Sequence, residues 1–204
     1  NFLNTNSGKT AAYDLTFSNG SWSMNLWSGG QAWTAGGTNL YRNKDAYYFL
    51  PSENEWYKAA YYNPSGTNYF LYPTASSSVP TAVASGTTSG TAVYGGGAVT
   101  EPAAVTLAGG LSPYGTMGQG GNVDEWMESA LDGSNISASG FRAIRGGYWD
   151  EFEDRLRSSS RLGDGPMEEF YAVGFRVASV PEPSTYALLL MTAASTLWFA
   201  RRRR

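Results

Sequence analysis

The sequence predicts an α+β domain, irregular and rich in loops, followed by a C-terminal hydrophobic helix. The chain has 25 glycines, 14 tyrosines and 7 tryptophans, a mixture typical of turns and irregular coil held by large rings. Short strand-like segments outnumber helical ones, and an uncharged apolar stretch lies at 186–200. The part before that stretch, roughly 175 residues, is long enough to bury one adequate core.

The first residues predict the end of a helix and then a hairpin. Asn1–Asn4 is interpreted as that helix end, closed by the polar turn Thr5–Gly8. Aromatic and apolar residues recur among Ser, Asn and Gly over 12–33. Within that stretch Asn19-Gly20 is a favoured hairpin-turn dipeptide, which predicts two short antiparallel strands.

A strand and a complete helix follow. Residues 46–50 form a compact strand candidate. Ser52 and Glu55 then stand three residues apart, which is the capping-box pattern of a helix N-terminus. We expect this helix to end at Asn63-Pro64.

The second half of the domain predicts long loops and then the core strands. Residues 73–110 contain Glu101 as their only charge and read as surface loops with brief extended pieces. Strands or extended segments are expected within 120–128, 141–149, 158–161 and 174–178. Three aromatic residues in or beside these segments are expected to anchor the core: Trp126, Trp149 and Phe175.

The composition excludes several kinds of chemistry. The chain contains no cysteine and no histidine. It can therefore build no disulfide, no thiolate nucleophile, no Cys/His zinc or copper site and no Ser-His-Asp triad. Without the four terminal arginines, 10 Lys and Arg stand against 17 Asp and Glu, a net charge of −7. Such a surface repels nucleic acid, so we expect no nucleic-acid partner.

The end of the chain has three parts in order. The triplet Pro181-Glu182-Pro183 cannot be helix interior, because proline lacks an amide donor. A helix over 186–200 would be roughly 22 Å long, shorter than the ~30 Å hydrocarbon core of a bilayer. Four arginines at 201–204 then act as a cytoplasmic stop, which places the preceding domain outside.

These three parts resemble the PEP-CTERM sorting signal of Gram-negative bacteria. The resemblance implies a hinge at 179–185, a transmembrane or sorting helix at 186–200 and a basic stop at 201–204. It also implies that an exosortase-type membrane protease cuts at the Pro-Glu-Pro site. The protein would be anchored in the inner membrane and then sorted to the envelope, surface or extracellular matrix. An ordinary C-terminal membrane anchor is the alternative, and it would export the domain too.

Three ordered blocks within 1–178 resemble the sulfatase-modifying-factor domain, the fold of formylglycine-generating enzyme. They are Phe49–Ala60, Gly120–Trp126, and Arg145–Asp150 continuing through Leu156–Arg161 to Val173–Val177. The resemblance implies a variant of the C-type-lectin fold. The chain lacks an initiator Met and a signal peptide, and Asn1–Asn4 looks like the end of the family's first helix. We therefore expect the N-terminal part of the domain to be missing from this sequence.

The chain departs from the family at the redox site. The resemblance implies that formylglycine-generating enzymes hold copper with two cysteines in the segment after Gly147. Here that segment, Tyr148–Arg155, has no sulfur, and oxygen donors do not replace thiolates as soft ligands for Cu(I). We therefore expect no catalytic residues, no copper and no formylglycine-generating activity.

A calcium site is a second expectation from the resemblance. Its ligands would be the carbonyls of Gly121 and Val123 and the carboxylate of Glu125. The alternative role for Glu125 is a salt bridge, and Arg145 and Arg176 are expected to pair with it or with the acidic run at 150–154. The second calcium site of the family uses an Asn near the position of Val93 here.

The acidic run itself allows two interpretations. Its four carboxylates, Asp150, Glu151, Glu153 and Asp154, invite comparison with the paired acids of glycoside hydrolases. Arg155 and Arg157 would lower the pKa of those acids by charge pairing. We favour a solvated acidic loop.

The sequence therefore favours an exported, surface-sorted, non-catalytic binding or scaffolding module. Expected partners are the exosortase-type protease, the membrane before processing, and extracellular polysaccharide or surface proteins. One alternative is an oxidoreductase-type or accessory enzyme that uses residues from the missing N-terminus. Another is a lectin-like glycan binder, with its surface in the loops 148–155 and 94–101.

Overall fold

A computed structural model describes residues 1–34, 38–137 and 140–180. The sorting triplet Pro181, Glu182 and Pro183, the helix expected at 186–200 and the basic stop at 201–204 lie outside the described residues. In the three described stretches, the structure contains no helix with the length and apolar character needed to cross a membrane.

The N-terminal residues form a short helix and a hairpin, as expected. Helix α1 spans Phe2–Asn6, and strands β1 (Asp14–Ser18) and β2 (Ser21–Asn25) pair antiparallel. Between them, Asn19 (φ 51°) and Gly20 (φ 79°) are both left-handed, which is the type I′ geometry that favours Asn-Gly in two-residue hairpins.

Helix α2, Glu53–Tyr61, begins with the predicted capping box. Ser52 Oγ accepts a hydrogen bond from the Glu55 amide at 3.3 Å, and Glu55 Oε2 accepts one from the Ser52 amide at 2.7 Å. One face of the helix packs against the central sheet and builds a core cluster of five buried residues: Trp56, Ala60, Tyr61, Met127 and Ala143.

The central sheet has four strands: β8 (Asp124–Ala130), β9 (Arg142–Arg145), β10 (Leu162–Asp164) and β11 (Val173–Gly174). They lie side by side in the order β10-β9-β8-β11. The β8–β9 and β9–β10 pairs are antiparallel, whereas β11 runs parallel to β8. This arrangement places the start of β8 beside the end of β9, where two of the three sequence blocks meet.

Short strand pairs complete the fold. Strands β3 (Ala32–Trp33) and β4 (Asn39–Asn43) pair antiparallel, and β6 (Thr81–Ala82) and β7 (Thr91–Ala92) pair parallel. Strand β5 (Tyr48–Phe49) pairs antiparallel with β12 (Ala178–Ser179). Two 3₁₀ helices lie at Val105–Leu107 and Glu153–Leu156.

Part of the predicted surface loop is buried core. Ala92, Val93 and Tyr94 expose 7% or less of their surface. Val93 bridges to Gly121, and its side chain packs in a cluster with Val99, Trp149 and Ala172. The interpretation of 73–110 as surface loop was therefore wrong for this stretch, because backbone pairing with the 121 turn draws it inward.

Two further expectations were wrong. Residues 158–159 form a turn, and the extended segment begins at Leu162. Phe175 is 65% exposed and is not a core anchor, because its neighbour Arg176 turns inward and adjacent side chains of extended chain point to opposite sides. Trp149 is buried as expected, and Trp126 is partly buried.

Candidate functional site

The turn before β8 and the glycine pair after β9 form one closely packed unit. The Gly121 amide donates to the Gly146 carbonyl at 2.9 Å, and the Gly147 amide donates to Asp124 Oδ1 at 2.8 Å. A Cβ at Gly121, where φ is +70°, would lie 2.1 Å from the Val93 carbonyl oxygen. Only glycine allows three backbone segments to meet this closely.

Glu125 connects this unit to helix α2 through Trp56 and to the segment after β11 through Arg176. Its Oε2 accepts hydrogen bonds from Trp56 Nε1 at 2.6 Å and from Arg176 Nε at 2.5 Å, and its Oε1 accepts one from Arg176 Nη2 at 2.5 Å. The structure thus confirms the pairing expected for Arg176. Arg145 pairs elsewhere, with Glu53 at 2.9 Å, so the expectation that it pairs with Glu125 or the acidic run was wrong.

Glu125, the expected calcium ligand with a side-chain carboxylate, is held by donors of the protein. Calcium takes six to eight oxygen ligands, whereas both oxygens of Glu125 already accept bonds from a guanidinium and an indole. Val93, at the position where the resemblance expects the Asn of the second calcium site, is fully buried and has no side-chain oxygen. In the described parts of the chain, no three Asp, Glu, His or Cys residues converge as metal ligands. Calcium at Gly121, Val123 and Glu125 stays a prediction from the resemblance.

The segment after Gly147 is packed against the loop at 95–97. The Glu151 carbonyl accepts hydrogen bonds from the Gly95 and Gly96 amides at 3.2 and 2.9 Å. The ring of Phe152 lies so close to Gly96 that a Cβ there would meet it at 2.3 Å. The two loops singled out in the sequence, 148–155 and 94–101, are therefore neighbours in space.

Two carboxylates beside this segment have raised pKa values. Burial, reinforced by the charge of Glu151, raises the pKa of Asp124 to about 6. Burial also raises the pKa of Glu151, although Arg155 lies 3.3 Å away and acts in the opposite direction. The expectation that arginines lower these pKa values was wrong for Glu151. Arg157 donates instead to the hydroxyl of Tyr72 at 3.1 Å.

The raised pKa of Asp124 predicts a specific pH dependence of stability. The pKa of Asp124 is about 6 in the folded state, above the ordinary 3.8, so folding favours the protonated carboxyl. The stability that this protonation gives the domain is fully present below pH 3.8 and is lost as the pH rises through about 6. Asp124→Asn keeps an oxygen for the Gly147 amide and carries no charge. We expect the variant to gain stability relative to wild type, by an amount that grows to about 3 kcal/mol as the pH rises from about 4 to 7.

Urea unfolding of the cleaved domain, residues 1–180, at a series of pH values measures this difference. Asp45→Asn, at an exposed carboxylate with no hydrogen bond among the described residues, serves as the control and should track wild type. A difference between Asp124→Asn and wild type that stays constant across this pH range would contradict the assignment.

A group of rings borders the same segment and is here called the aromatic surface: the partly buried Tyr148 and the exposed Phe152, Phe170 and Tyr171. Phe170 and Tyr171 lie 4.5 Å apart between ring centroids, and Phe170 contacts Tyr148 edge-on at 6.3 Å. Phe152, Phe170 and Tyr171 are 64%, 45% and 72% exposed. The sequence indicated loop 148–155 as a candidate surface but did not indicate Phe170 and Tyr171. Their only signal in the sequence is that two aromatic residues follow Glu168-Glu169 directly.

A buried polar network was also missed. Arg42 and Glu128 are 1% and 3% exposed, and Arg42 Nη2 lies 2.7 Å from Glu128 Oε2. Glu128 also accepts from Tyr13 at 3.1 Å and Asn39 at 2.5 Å. Arg42 and Glu128 are 86 residues apart in sequence, and no motif links them.

The domain and the tail both match known families. Residues 12–180 match the model of the sulfatase-modifying factor enzyme 1-like domain, and residues 179–204 match the PEP-CTERM protein-sorting motif. No curated protein matches this chain. The sorting motif marks the protein for export, processing by an exosortase, and sorting to the envelope or surface of a Gram-negative bacterium.

A solved structure supports the fold. Treponema denticola variable protein 1 is similar to this chain with a TM-score of 0.56 and 20% sequence identity. The similarity covers 88% of this chain but only 66% of that protein, and at this identity it concerns the fold alone. The formylglycine-generating-enzyme-like variant of the C-type-lectin fold is confirmed. This chain belongs to the family of the sulfatase-modifying factor enzyme 1-like domain.

Proposed function

We propose that this protein is a non-catalytic binding module, exported and held at the cell surface, that contacts extracellular polysaccharide through the aromatic surface. One observation carries the proposal. In the segment after Gly147, where formylglycine-generating relatives hold copper, the side chains that could bind a metal offer oxygen and no sulfur. The same segment is hydrogen-bonded to the loop at 95–97. Tyr148–Arg155 thus supports a ligand-facing loop better than a redox centre.

The carboxylates near this segment have structural partners. Asp124 accepts from the Gly147 amide, and Glu151 accepts from the Tyr148 amide at 3.2 Å and pairs with Arg155. Asp150 is exposed at the surface of the loop. This arrangement provides no carboxylate pair facing across a cleft, which acid–base hydrolysis of a glycosidic bond needs.

The aromatic surface has the properties of a binding surface for sugars. Its rings lie on loops held by the glycine turn and by the core residue Trp149, and loops on a rigid scaffold commonly carry binding sites. Aromatic faces offer apolar area to the C–H face of a sugar ring. Exposed carboxylates at Asp150, Glu168 and Glu169 can accept bonds from sugar hydroxyls.

The last described residues belong to the folded domain, so cleavage after them would release the domain intact. Strand β12 pairs with β5, and the Val180 amide donates to the Tyr47 carbonyl at 3.1 Å. Val180, the last described residue, is therefore still hydrogen-bonded to the folded domain. Cleavage at the Pro-Glu-Pro triplet would leave every described strand pair in place, and before cleavage the segment 186–200 would hold the domain at the inner membrane.

The aromatic surface is tested by removing its three most exposed rings. We expect Phe152→Ala/Phe170→Ala/Tyr171→Ala to lower retention on immobilised extracellular polysaccharide from the producing bacterium at least about tenfold, because each stacked ring contributes contact area. The control removes two rings of comparable exposure from the β1–β2 hairpin, Phe17 and Trp22. Retention that is equal in both variants, or wild-type retention by surface proteins and not by polysaccharide, would contradict the proposal.

A further inference from the structure

A row of tyrosine rings lies along helix α2 and the loops beside it and is here called the tyrosine strip: Tyr57, Tyr69, Tyr62 and Tyr114. Consecutive rings in this order lie 5.1, 5.2 and 6.5 Å apart between centroids. Tyr69 and Tyr114 are 45% and 46% exposed, whereas Tyr57 and Tyr62 are partly buried. The strip shares no residue with the aromatic surface, so it is a separate feature of the fold.

The loop that follows helix α2 holds these rings in place. The Phe70 amide donates to the Tyr61 carbonyl at 2.8 Å, and the Asn63 amide donates to the Asn68 carbonyl at 3.0 Å. Tyr57 packs against the buried ring of Tyr61 at 5.0 Å between centroids. Since these backbone groups are paired within the loop, the strip offers ring faces and side-chain groups to a ligand, not a free strand edge to a peptide.

A cationic pocket of about 460 Å³ adjoins the strip at Tyr57. The Arg145 guanidinium lies 4.9 Å from the centre of the Tyr57 ring. Arg145 and Arg161 both pair with Glu53, at 2.9 and 2.7 Å, so two cations share one carboxylate. Arg161 is the exposed cation of this pocket, with 35% of its side chain accessible, and its Nη1 makes no hydrogen bond among the described residues. It is therefore the group that a ligand would contact.

A second cation lies over Tyr62. Lys58 is exposed, and its Nζ lies 5.8 Å from the centre of the Tyr62 ring. It forms no ion pair within the described ranges, whereas Glu55, one turn earlier on the helix, binds Ser52 and Arg42. The rings of the strip come from two stretches, 56–78 and 102–123, whose only charged residue is Lys58. No carboxylate therefore stands among these rings in the sequence.

The charge of this surface is opposite to that of the domain as a whole. Without the terminal arginines the chain has a net charge of −7. The strip and its pocket carry three cations and one carboxylate: Lys58, Arg145, Arg161 and Glu53. Asp132 also acts on Arg161, and Arg142 offsets it. An acidic polymer is thus repelled by most of the domain and attracted here, and tyrosine faces suit the C–H faces of its sugar rings.

We infer that the tyrosine strip and its pocket bind an acidic polysaccharide, with sugar rings on the tyrosines and anionic groups at Arg161 and Lys58. Glu53, which holds Arg161, precedes Lys58 by five residues, or about 7.5 Å along the helix axis. The two cations can therefore contact different anionic groups of one polymer. The inference rests on the binding role proposed above but concerns a second surface, so the two can fail separately.

The test uses the full chain in a nonionic detergent without a sugar headgroup, in isothermal titration without divalent cations. The carboxylate probe is oligogalacturonate, and its neutral counterpart is the methyl ester of the same oligosaccharide. The sulfate probe is sulfated dextran, with dextran as its neutral counterpart. We expect at least one acidic probe to bind about tenfold or more tightly than its counterpart, and the one that does so identifies the anionic group.

Two variants separate the rings from the charge. Tyr69→Ala/Tyr114→Ala removes the two exposed rings and should weaken binding of the preferred acidic probe at least about tenfold. Lys58→Gln removes an exposed cation and should weaken it roughly threefold, with no change for the neutral counterpart. Lys44→Gln makes the same change at an exposed lysine outside the strip and should bind like wild type.

Three results would each overturn the inference: equal affinity for the acidic probes and their neutral counterparts, wild-type affinity of the double tyrosine variant, or equal affinities of Lys58→Gln and Lys44→Gln. The triple variant of the aromatic surface should bind the acidic probe like wild type. If no acidic probe binds while polysaccharide retention through the aromatic surface persists, the assignment of the strip fails and the proposed function stands.

Discussion

Replacing Glu128 with glutamine is expected to lower the free energy of unfolding by about 3–5 kcal/mol, because it leaves a buried cation without its main counter-charge. Arg42 donates three hydrogen bonds to Glu128, at 3.1, 2.9 and 2.7 Å. Its guanidinium is enclosed by the rings of Phe49 at 3.7 Å and Trp33 at 5.1 Å, so water cannot readily solvate the charge. Glu55 remains as a partial partner, which sets the lower end of the range.

Urea unfolding of the cleaved domain measures this loss. Glu101→Gln is the matched control, since it makes the same chemical change at an exposed residue and should alter stability by less than about 0.5 kcal/mol. A loss below about 1 kcal/mol for Glu128→Gln would show that the network contributes little more than a surface ion pair.

Gly121→Ala is expected to destabilise the domain by at least about 3 kcal/mol or to prevent folding, because two costs combine. The residue has φ +70°, where a side chain is strained, and its Cβ would lie 2.1 Å from the Val93 carbonyl oxygen. Backbone cannot move aside here, since the Val93 carbonyl also accepts the Asn122 amide at 2.7 Å.

Gly133→Ala separates these two costs. Gly133 has φ +73° with nothing within 4 Å of its Cβ position, so this variant bears only the backbone strain of about 1–2 kcal/mol. Urea unfolding, or the yield of soluble protein where a variant does not fold, measures both. Equal losses for the two variants would show that the close approach to Val93 is not what demands glycine at 121.

Local signals in the sequence predicted local structure well. The Asn19-Gly20 turn and the Ser52–Glu55 capping box depend on residues within a few positions of each other, and both are present. The three family blocks predicted the fold, because their glycines and Arg176 serve the packing that brings β8, β9 and β11 together. The Glu125–Arg176 pair could be proposed since both residues stand in those blocks.

Contacts between distant segments were not predictable in the same way. Nothing near Arg42 in sequence indicates Glu128. Arg145 pairs with Glu53, not with acids closer in sequence, because helix α2 packs on the central sheet that contains strand β9. Val93 is buried by pairing with Gly121, although it stands in a stretch of mostly Ser, Thr, Gly and Ala, a composition typical of surface loops.

The central claim, that this chain binds and does not catalyse, is tested most directly by an aldehyde assay. The purified full chain is incubated with copper, oxygen, a thiol reductant and a peptide carrying a sulfatase-type cysteine, and aldehyde is captured with a hydrazine and quantified by mass spectrometry. A formylglycine-generating enzyme run in parallel establishes that the assay works. We predict no aldehyde above the protein-free control. Copper-dependent conversion of more than one peptide per chain would contradict the account.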